Sequence, residues 1–248
     1  MIQLSLGAYR GVSHEAAIHH SQTTPVVDPC LGPIGVSKLQ LCPQGINALT
    51  PESCTELVKQ YPTIQFRPHA NIRVYDTLKI IDAVTMLDEE DYVIKVGEIC
   101  KALNATGYTL HPGVTSDGSL QTVFRTCLEL TDRYGIPVGV EGMYPAVRMK
   151  YHLSSWREYE QLLGAGVYYA IDLSHLHILK TRTGILPLGL VCELLSHPLC
   201  MEVHVSGNDG RSDQHTPIDK DIWWLPLLPY VQDTTTIYYE GSQRGLLV

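Results

Sequence analysis

Nine residues of types that bind divalent cations stand within, at the end of, or just beyond short apolar runs. They are His69 in Arg67-Pro68-His69, His111 in Leu110-His111-Pro112-Gly113, Glu141 in Val140-Glu141-Gly142, Asp172 and His175 in Ile171-Asp172-Leu173-Ser174-His175, His204 in Val203-His204-Val205, Asp213 and His215 in Asp213-Gln214-His215, and Glu240 in Tyr239-Glu240-Gly241. Imidazole and carboxylate together suit zinc, manganese and iron alike. A charge at the end of an apolar run is costly to bury without a partner, and a cation is a partner that several such groups share. Any one of these residues alone reads as a hydrogen-bonded structural group. The argument for metal is that the pattern repeats at six successive runs. His14, His19, His20, His152, His177 and His197 lack that placement and read as structural or exposed, with His177 the nearest exception because of its spacing from His175.

These side chains need elements to position them. Runs rich in Val, Ile, Leu, Tyr and Thr predict strands at 2–6, 37–42, 63–68, 107–111, 137–141, 167–172, 201–205 and 235–240, nearly continuous in hydrophobicity as buried parallel strands are. Helix signals lie between most of them. Thr50-Pro51-Glu52-Ser53 sets an N-cap before proline at the first position of a helix over 51–61, where proline's missing N–H costs nothing. Asp88, Glu89, Glu90 and Asp91 open a helix over 87–103 with charges that suit its N-terminus. The spacing also predicts helices over 119–134, 154–163 and 187–195, and a short one at 14–20. Strands alternating with helices predict a parallel sheet. Eight of them predict a single (β/α)₈ TIM barrel over 1–248, with an open doubly wound sheet as the alternative. In the barrel the C-terminal strand ends share one face, so the nine residues are expected to converge there. Only 241–248 follows the eighth strand. The last helix is therefore expected to be short or absent, and the side it leaves uncovered is a candidate homo-oligomer contact.

Taken in order, Pro68-His69, His111-Pro112-Gly113, Glu141, Asp172-x-x-His175, His204 followed by Asp213-x-His215, and Glu240-Gly241 resemble the endonuclease IV family (AP endonuclease family 2), within the xylose isomerase-like TIM barrel superfamily. The resemblance runs over nearly the whole chain. It implies two or three divalent metal ions, zinc foremost, with manganese and iron as alternatives. One would take His69, His111 and Glu141. A second would take Glu141 as a bridge, with Asp172, His204 and Glu240. A third would take His175, Asp213 and His215. The activity it implies is metal-dependent hydrolysis of a phosphodiester, in the family at abasic sites in DNA. Glu141 and Glu240 are then the candidate catalytic carboxylates, and Arg73 and Arg211 the candidate substrate contacts. The chain departs from the family after the first ligand, where Ala70-Asn71-Ile72-Arg73 lacks the aromatic wedge and leaves Ile72 as the candidate for that role. The loop between His204 and Asp213 is shorter than in the family, and the DNA-contacting loop after the first strand is not recognisable.

A second reading from the same superfamily is a metal-dependent sugar or sugar-phosphate isomerase or epimerase. It needs about one metal, on Glu141, Asp172, His204 and Glu240, with the two glutamates moving a proton on and off carbon and Arg211 on the substrate. It leaves His69, His111, Asp213 and His215 without a metal role, which ranks it second. A barrel that holds metal or a protein partner without catalysis is the third.

The net charge of −8 and pI near 5.7 count against a general nucleic-acid binder, whose affinity comes largely from phosphate contacts. Charge is unevenly spread, however. Arg10, Arg73, Arg148, Lys150, Lys180, Arg182, Arg211, Lys220 and Arg244, half of the 18 basic residues, fall in loops above the predicted C-terminal strand ends. Such a rim suits a phosphate-containing substrate. The seven cysteines form no CxxC pair and read as buried, reduced thiols. No apolar stretch approaches the roughly 20 residues that span a bilayer, and the N-terminus lacks a signal-peptide pattern. A cytoplasmic protein with no membrane partner is expected.

Overall fold

The computed structural model describes residues 1–243; the predicted rim cation Arg244 lies outside them. Eight parallel strands, β1 (Gln3–Ser5), β2 (Gly35–Leu41), β3 (Gln65–Pro68), β4 (Tyr108–Leu110), β5 (Val138–Glu141), β6 (Tyr168–Asp172), β7 (Cys200–Val205) and β8 (Thr236–Tyr239), pair in the order β3-β2-β1-β8-β7-β6-β5-β4. The ring closes where His69, just past β3, forms a parallel bridge with Thr109 of β4. The architecture is a (β/α)₈ barrel, and each strand lies within two residues of its predicted ends. All residues of β5 and β7 are buried, because helices cover the outside of a parallel barrel and the other strands fill its inside.

The helices are α1 (His14–Thr23), α2 (Pro51–Gln60), α3 (Ala83–Met86), α4 (Glu90–Ala102), α5 (Leu120–Tyr134), α6 (Trp156–Gly164), α7 (Leu173–Thr183) and α8 (Leu188–Ser196). Helix α2 starts as its sequence dictates. The Thr50 hydroxyl accepts from the Ser53 N–H, and the Ser53 hydroxyl accepts from the Thr50 N–H, satisfying two N-terminal donors at once. The helix predicted over 87–103 is α4; the short α3 before it was not predicted, and a turn at 87–89 separates the two.

Helix α7 is not predicted by periodicity. Leu173, Ser174, His175, Leu176, Ile178 and Leu179 are all buried, so its apolar residues are not confined to one stripe and the amphipathic signal is weak. Its ends are nonetheless well specified. Asp172 caps the start, its carboxylate accepting from the Ser174 and His175 N–H groups, and Gly184 ends it at φ 69°, a conformation glycine adopts without steric cost. Between β7 and β8 runs a long loop, ending in a 3₁₀ turn at Leu225–Tyr230. Cys42, Cys54, Cys100, Cys127 and Cys200 are buried, Cys30 and Cys192 half-buried, and none is in a disulfide. Among the described residues no helix is long and apolar enough to cross a membrane.

Candidate metal centre

The nine residues do converge. Eight of them line one cavity of about 570 Å³, and the ninth, His204, lies fully buried beneath it against Glu141. His69 follows β3, His111 follows β4, Glu141 and Asp172 end β5 and β6, His175 stands in the first turn of α7, and Glu240 follows β8. Asp213 and His215 reach in from the long loop after β7. That loop holds His215 at φ 49°, and Ala70, next to His69, sits at φ 51°. Left-handed backbone at non-glycine residues costs free energy that the surroundings must supply, and here it flanks two of the converging side chains.

Glu141 is the hub. Its Oε2 lies 3.3 Å from Nε2 of His69 and 3.3 Å from Nε2 of His111. Its Oε1 lies 3.2 Å from Nδ1 of His204 and 3.6 Å from Nδ1 of His175. Three sets, His69–Glu141–His204, Glu141–Asp172–His175 and Asp172–His204–Glu240, each bring one donor atom per residue within 4.8 Å of the others. Asp213 continues the cluster, with Oδ2 3.6 Å from His175 Nε2 and 2.8 Å from His215 Nε2. These neighbours cut across the ligand groupings implied by the family resemblance: His204 stands with His69 and Glu141, His175 reaches Glu141 and Asp172 as well as Asp213, and His215 reaches Glu240.

Two features of the donor set fit divalent cations. Glu141 Oε2 and Asp172 Oδ2 are buried without a hydrogen-bond partner, although each has imidazole Nε2 atoms 3.3 Å away. Buried acceptors left unpaired are costly, and a cation satisfies them. The second feature is electrostatic. Burial opposes charge on Glu141, yet His204, His111 and His69 outweigh it and hold the carboxyl well below its ordinary range. Burial likewise opposes charge on His204 and His175, but Glu240 and Glu141 around the first, and Asp172 and Asp213 around the second, push both well above the ordinary imidazole value. His215 rises to about 9 in the same way, despite burial, through Asp213 and Glu240. Burial raises Asp172 to about 6, with His175 opposing. The carboxylates thus favour positive charge on His111, His175, His204 and His215, as protons where no metal is bound.

The orientation of the imidazoles is enforced from outside the cluster. His175 Nδ1 donates to the Gly142 carbonyl at 2.8 Å, turning Nε2 to the carboxylates. Gly142 itself packs against the Tyr159 ring so closely that a Cβ there would overlap it. The layer beneath the cluster contains residues that sequence reasoning passed over: Gln40, Arg67, Thr109 and, above all, Glu202, which is fully buried between Arg67 and His204. A signal for it was present. Arg67, Thr109 and Glu202 each stand two residues before His69, His111 and His204, and alternate residues of a strand share a face. Asp82, which lines the cavity 4.0 Å from His111 Nδ1, was also missed.

Some expected contacts are placed elsewhere. Ile72, the candidate wedge, is buried in the core at 1% exposure, so its side chain is not offered to a duplex. Arg73 donates through Nε to the Gly45 carbonyl at 2.7 Å. Arg211 is exposed, in a turn where its N–H donates to Asp209. Neither lines the cavity, and among the described residues no arginine or lysine does. The walls beyond the nine are acidic at Asp82 and Asp117, and apolar or aromatic at residues such as Val114, Met143, Tyr144 and Tyr151. The Tyr144 ring packs 4.7 Å from that of His175.

No family model matches the chain, and no curated protein matches it in sequence. Solved structures do match in shape. A D-tagatose 3-epimerase-like protein superposes with TM-score 0.67 at 15% identity, covering 99% of this chain and 92% of its own. An AP endonuclease, family 2, from Brucella melitensis superposes with TM-score 0.66 at 13% identity, over 98% of this chain and 93% of its own. IolI, solved with a bound zinc atom, gives 0.64 at 11% identity, over 100% and 91%. At these identities the likeness establishes the fold.

Proposed function

We propose that this chain is a metal-dependent hydrolase that cleaves a phosphoester, using two or three divalent cations held by His69, His111, Glu141, Asp172, His175, His204, Asp213, His215 and Glu240. The observation that carries this reading is the hub geometry, in which Glu141 meets His69 and His111 through one oxygen and His204 through the other. That is the arrangement of a bridging ligand, and a mononuclear centre has no use for it. When bound, divalent cations supply Lewis-acid polarisation of a substrate oxygen, acidify water, and provide the positive charge that a phosphoester needs in a cavity that, among the described residues, no lysine or arginine lines.

The chain's own groups do the rest. Glu141 holds the two halves of the cluster in register. Glu240 faces the cavity, its Oε1 accepting from the Ser5 hydroxyl at 3.3 Å and its Oε2 3.6 Å from His215 Nδ1, which places a carboxylate where it could take a proton from an attacking water. Tyr144, Tyr151 and Met143 exclude bulk water from one side, which strengthens every charge interaction inside. An abasic-site duplex is the first substrate to try, because an AP endonuclease shares this fold.

One observation favours a second reading. A cavity with aromatic walls and, among the described residues, no arginine or lysine also suits a neutral sugar, handled by an isomerase or epimerase with a single metal on Glu141, Asp172, His204 and Glu240. The two are separated by metal content per chain, measured on protein purified without chelators or a histidine tag, and by His69→Ala. Two or three ions, with His69→Ala losing at least one and its phosphodiesterase activity, support the hydrolase. One ion, retained in His69→Ala together with turnover of a ketose, sinks it.

A further inference from the structure

Gln40, Thr109 and Glu202 belong to β2, β4 and β7, none of which are neighbours in the barrel. Hydrogen bonds among them therefore cross the interior, directly below the cluster. Glu202 Oε1 accepts from Arg67 Nη1 at 3.0 Å. Its Oε2 is approached by three groups: Gln40 Nε2 at 2.9 Å, Thr109 Oγ1 at 3.0 Å and His204 Nε2 at 2.9 Å. Thr109 Oγ1 lies in turn 2.8 Å from His69 Nδ1. Donor bookkeeping then decides the histidines. A carboxylate facing Arg67 only accepts, and a threonine hydroxyl has one proton. That proton goes to Glu202, so the Thr109 oxygen accepts from His69 Nδ1–H. Directly, Glu202 accepts from His204 Nε2–H. Each imidazole is left with its lone pair on the nitrogen that faces Glu141, Nε2 of His69 and Nδ1 of His204.

We propose that Glu202 is the positioning residue of this centre: one buried carboxylate fixes the proton-bearing nitrogens of His69, through Thr109, and of His204, directly, and so turns a lone pair of each toward the cations. Arg67 keeps the carboxylate ionised and balances its charge, so the layer polarises the imidazoles without adding net charge under the cluster. The rival arrangement is specific. Gln40 Nε2 also lies 3.0 Å from His204 Nε2. If Gln40 donated to that nitrogen, the His204 proton would sit on Nδ1 and point at Glu141. The spacing of two donors that share Glu202 Oε2 accounts for the same distance.

The inference rests on the multinuclear metal reading, and the test keeps the two apart. The full chain, loaded with zinc and labelled with ¹⁵N-histidine, is studied by long-range proton–nitrogen NMR, and zinc affinity is measured by competition with a chromophoric chelator. The expected spectrum has His204 protonated at Nε2 and His69 at Nδ1. Thr109→Val is expected to weaken zinc about 10-fold and move only the His69 signals. Glu202→Gln is expected to move both and weaken zinc up to about 100-fold, the usual range for a partner behind a ligand. His204 protonated at Nδ1 overturns the proposal, as do unmoved signals and unchanged zinc affinity in both variants, even if their thermal stability falls. An unaltered chain that binds no zinc overturns the metal reading and this proposal with it. Should Glu202→Gln not fold, the wild-type spectrum and Thr109→Val still decide.

Discussion

Glu141→Gln keeps the size and shape of the hub side chain but removes its charge and one of its two acceptor oxygens. The His69, His111 and His204 nitrogens that face it lie 3.2–3.3 Å from those oxygens, so any cation they share is within about one contact distance of the lost charge. Two unit charges ~4 Å apart interact by ~4 kcal/mol at an effective dielectric constant of ~20, and a divalent ion doubles this. Glutamine still offers one oxygen as a ligand, which we take to recover roughly half. The remaining ~4 kcal/mol corresponds to about a 10³-fold loss of affinity. The variant is therefore expected to hold at least one zinc fewer per chain after dialysis and to lose phosphodiesterase activity. Metal per chain by elemental analysis, with a chelator competition for affinity, reads the first effect. Circular dichroism guards against a folding defect. A folded variant with the zinc content and rate of the parent would refute the bridging role and the reaction built on it.

Ile72→Ala tests where that side chain works. Its burial predicts a loss of about 2–5 kcal/mol in denaturant unfolding, or roughly 2–4 °C of Tm for each kcal/mol, with the activity of the folded fraction intact; unchanged stability with lost duplex binding would restore the wedge. Zinc uptake is expected to release protons, because the surrounding carboxylates push His111, His175, His204 and His215 up, His215 to about 9. Affinity should accordingly rise between pH 7 and 9 as those protons leave, and calorimetry in buffers of different ionisation enthalpy that finds no proton release contradicts the electrostatics described above. Burial pushes the thiols of Cys42, Cys54 and Cys127 up to about 12, so a disulfide reagent at neutral pH should modify at most Cys30 and Cys192 in the native protein. Rapid reaction of all seven without denaturant would contradict that burial.

Much of this was legible in the chain because barrel strands are local. The runs ending at His111, Glu141 and Asp172 carry their own β-branched and aromatic composition, and fold class follows from strands alternating with helices. Placing those polar residues on one face needed only the rule that parallel strands of a barrel end together. Helix α7 was harder to read, since a helix buried on most sides loses the periodicity that announces it, and its clearest signals were the Asp172 cap and Gly184. Ile72 was misjudged for a related reason. An apolar residue next to a ligand looks the same in sequence whether it points to a duplex or into the core.

What the sequence determined by itself was therefore the set of strands, their common direction and the candidate ligand types at their ends. Tertiary structure alone decided which donor faces which. That Glu141 meets several imidazoles, that Glu202 joins His69 to His204 across the barrel, and that among the described residues no arginine or lysine lines the cavity all depend on side chains tens of residues or more apart, or on loop paths. Periodicity carries no information about such pairings. Strand order, register and stagger bring those atoms to within hydrogen-bonding distance, and these arise only when the sheet closes.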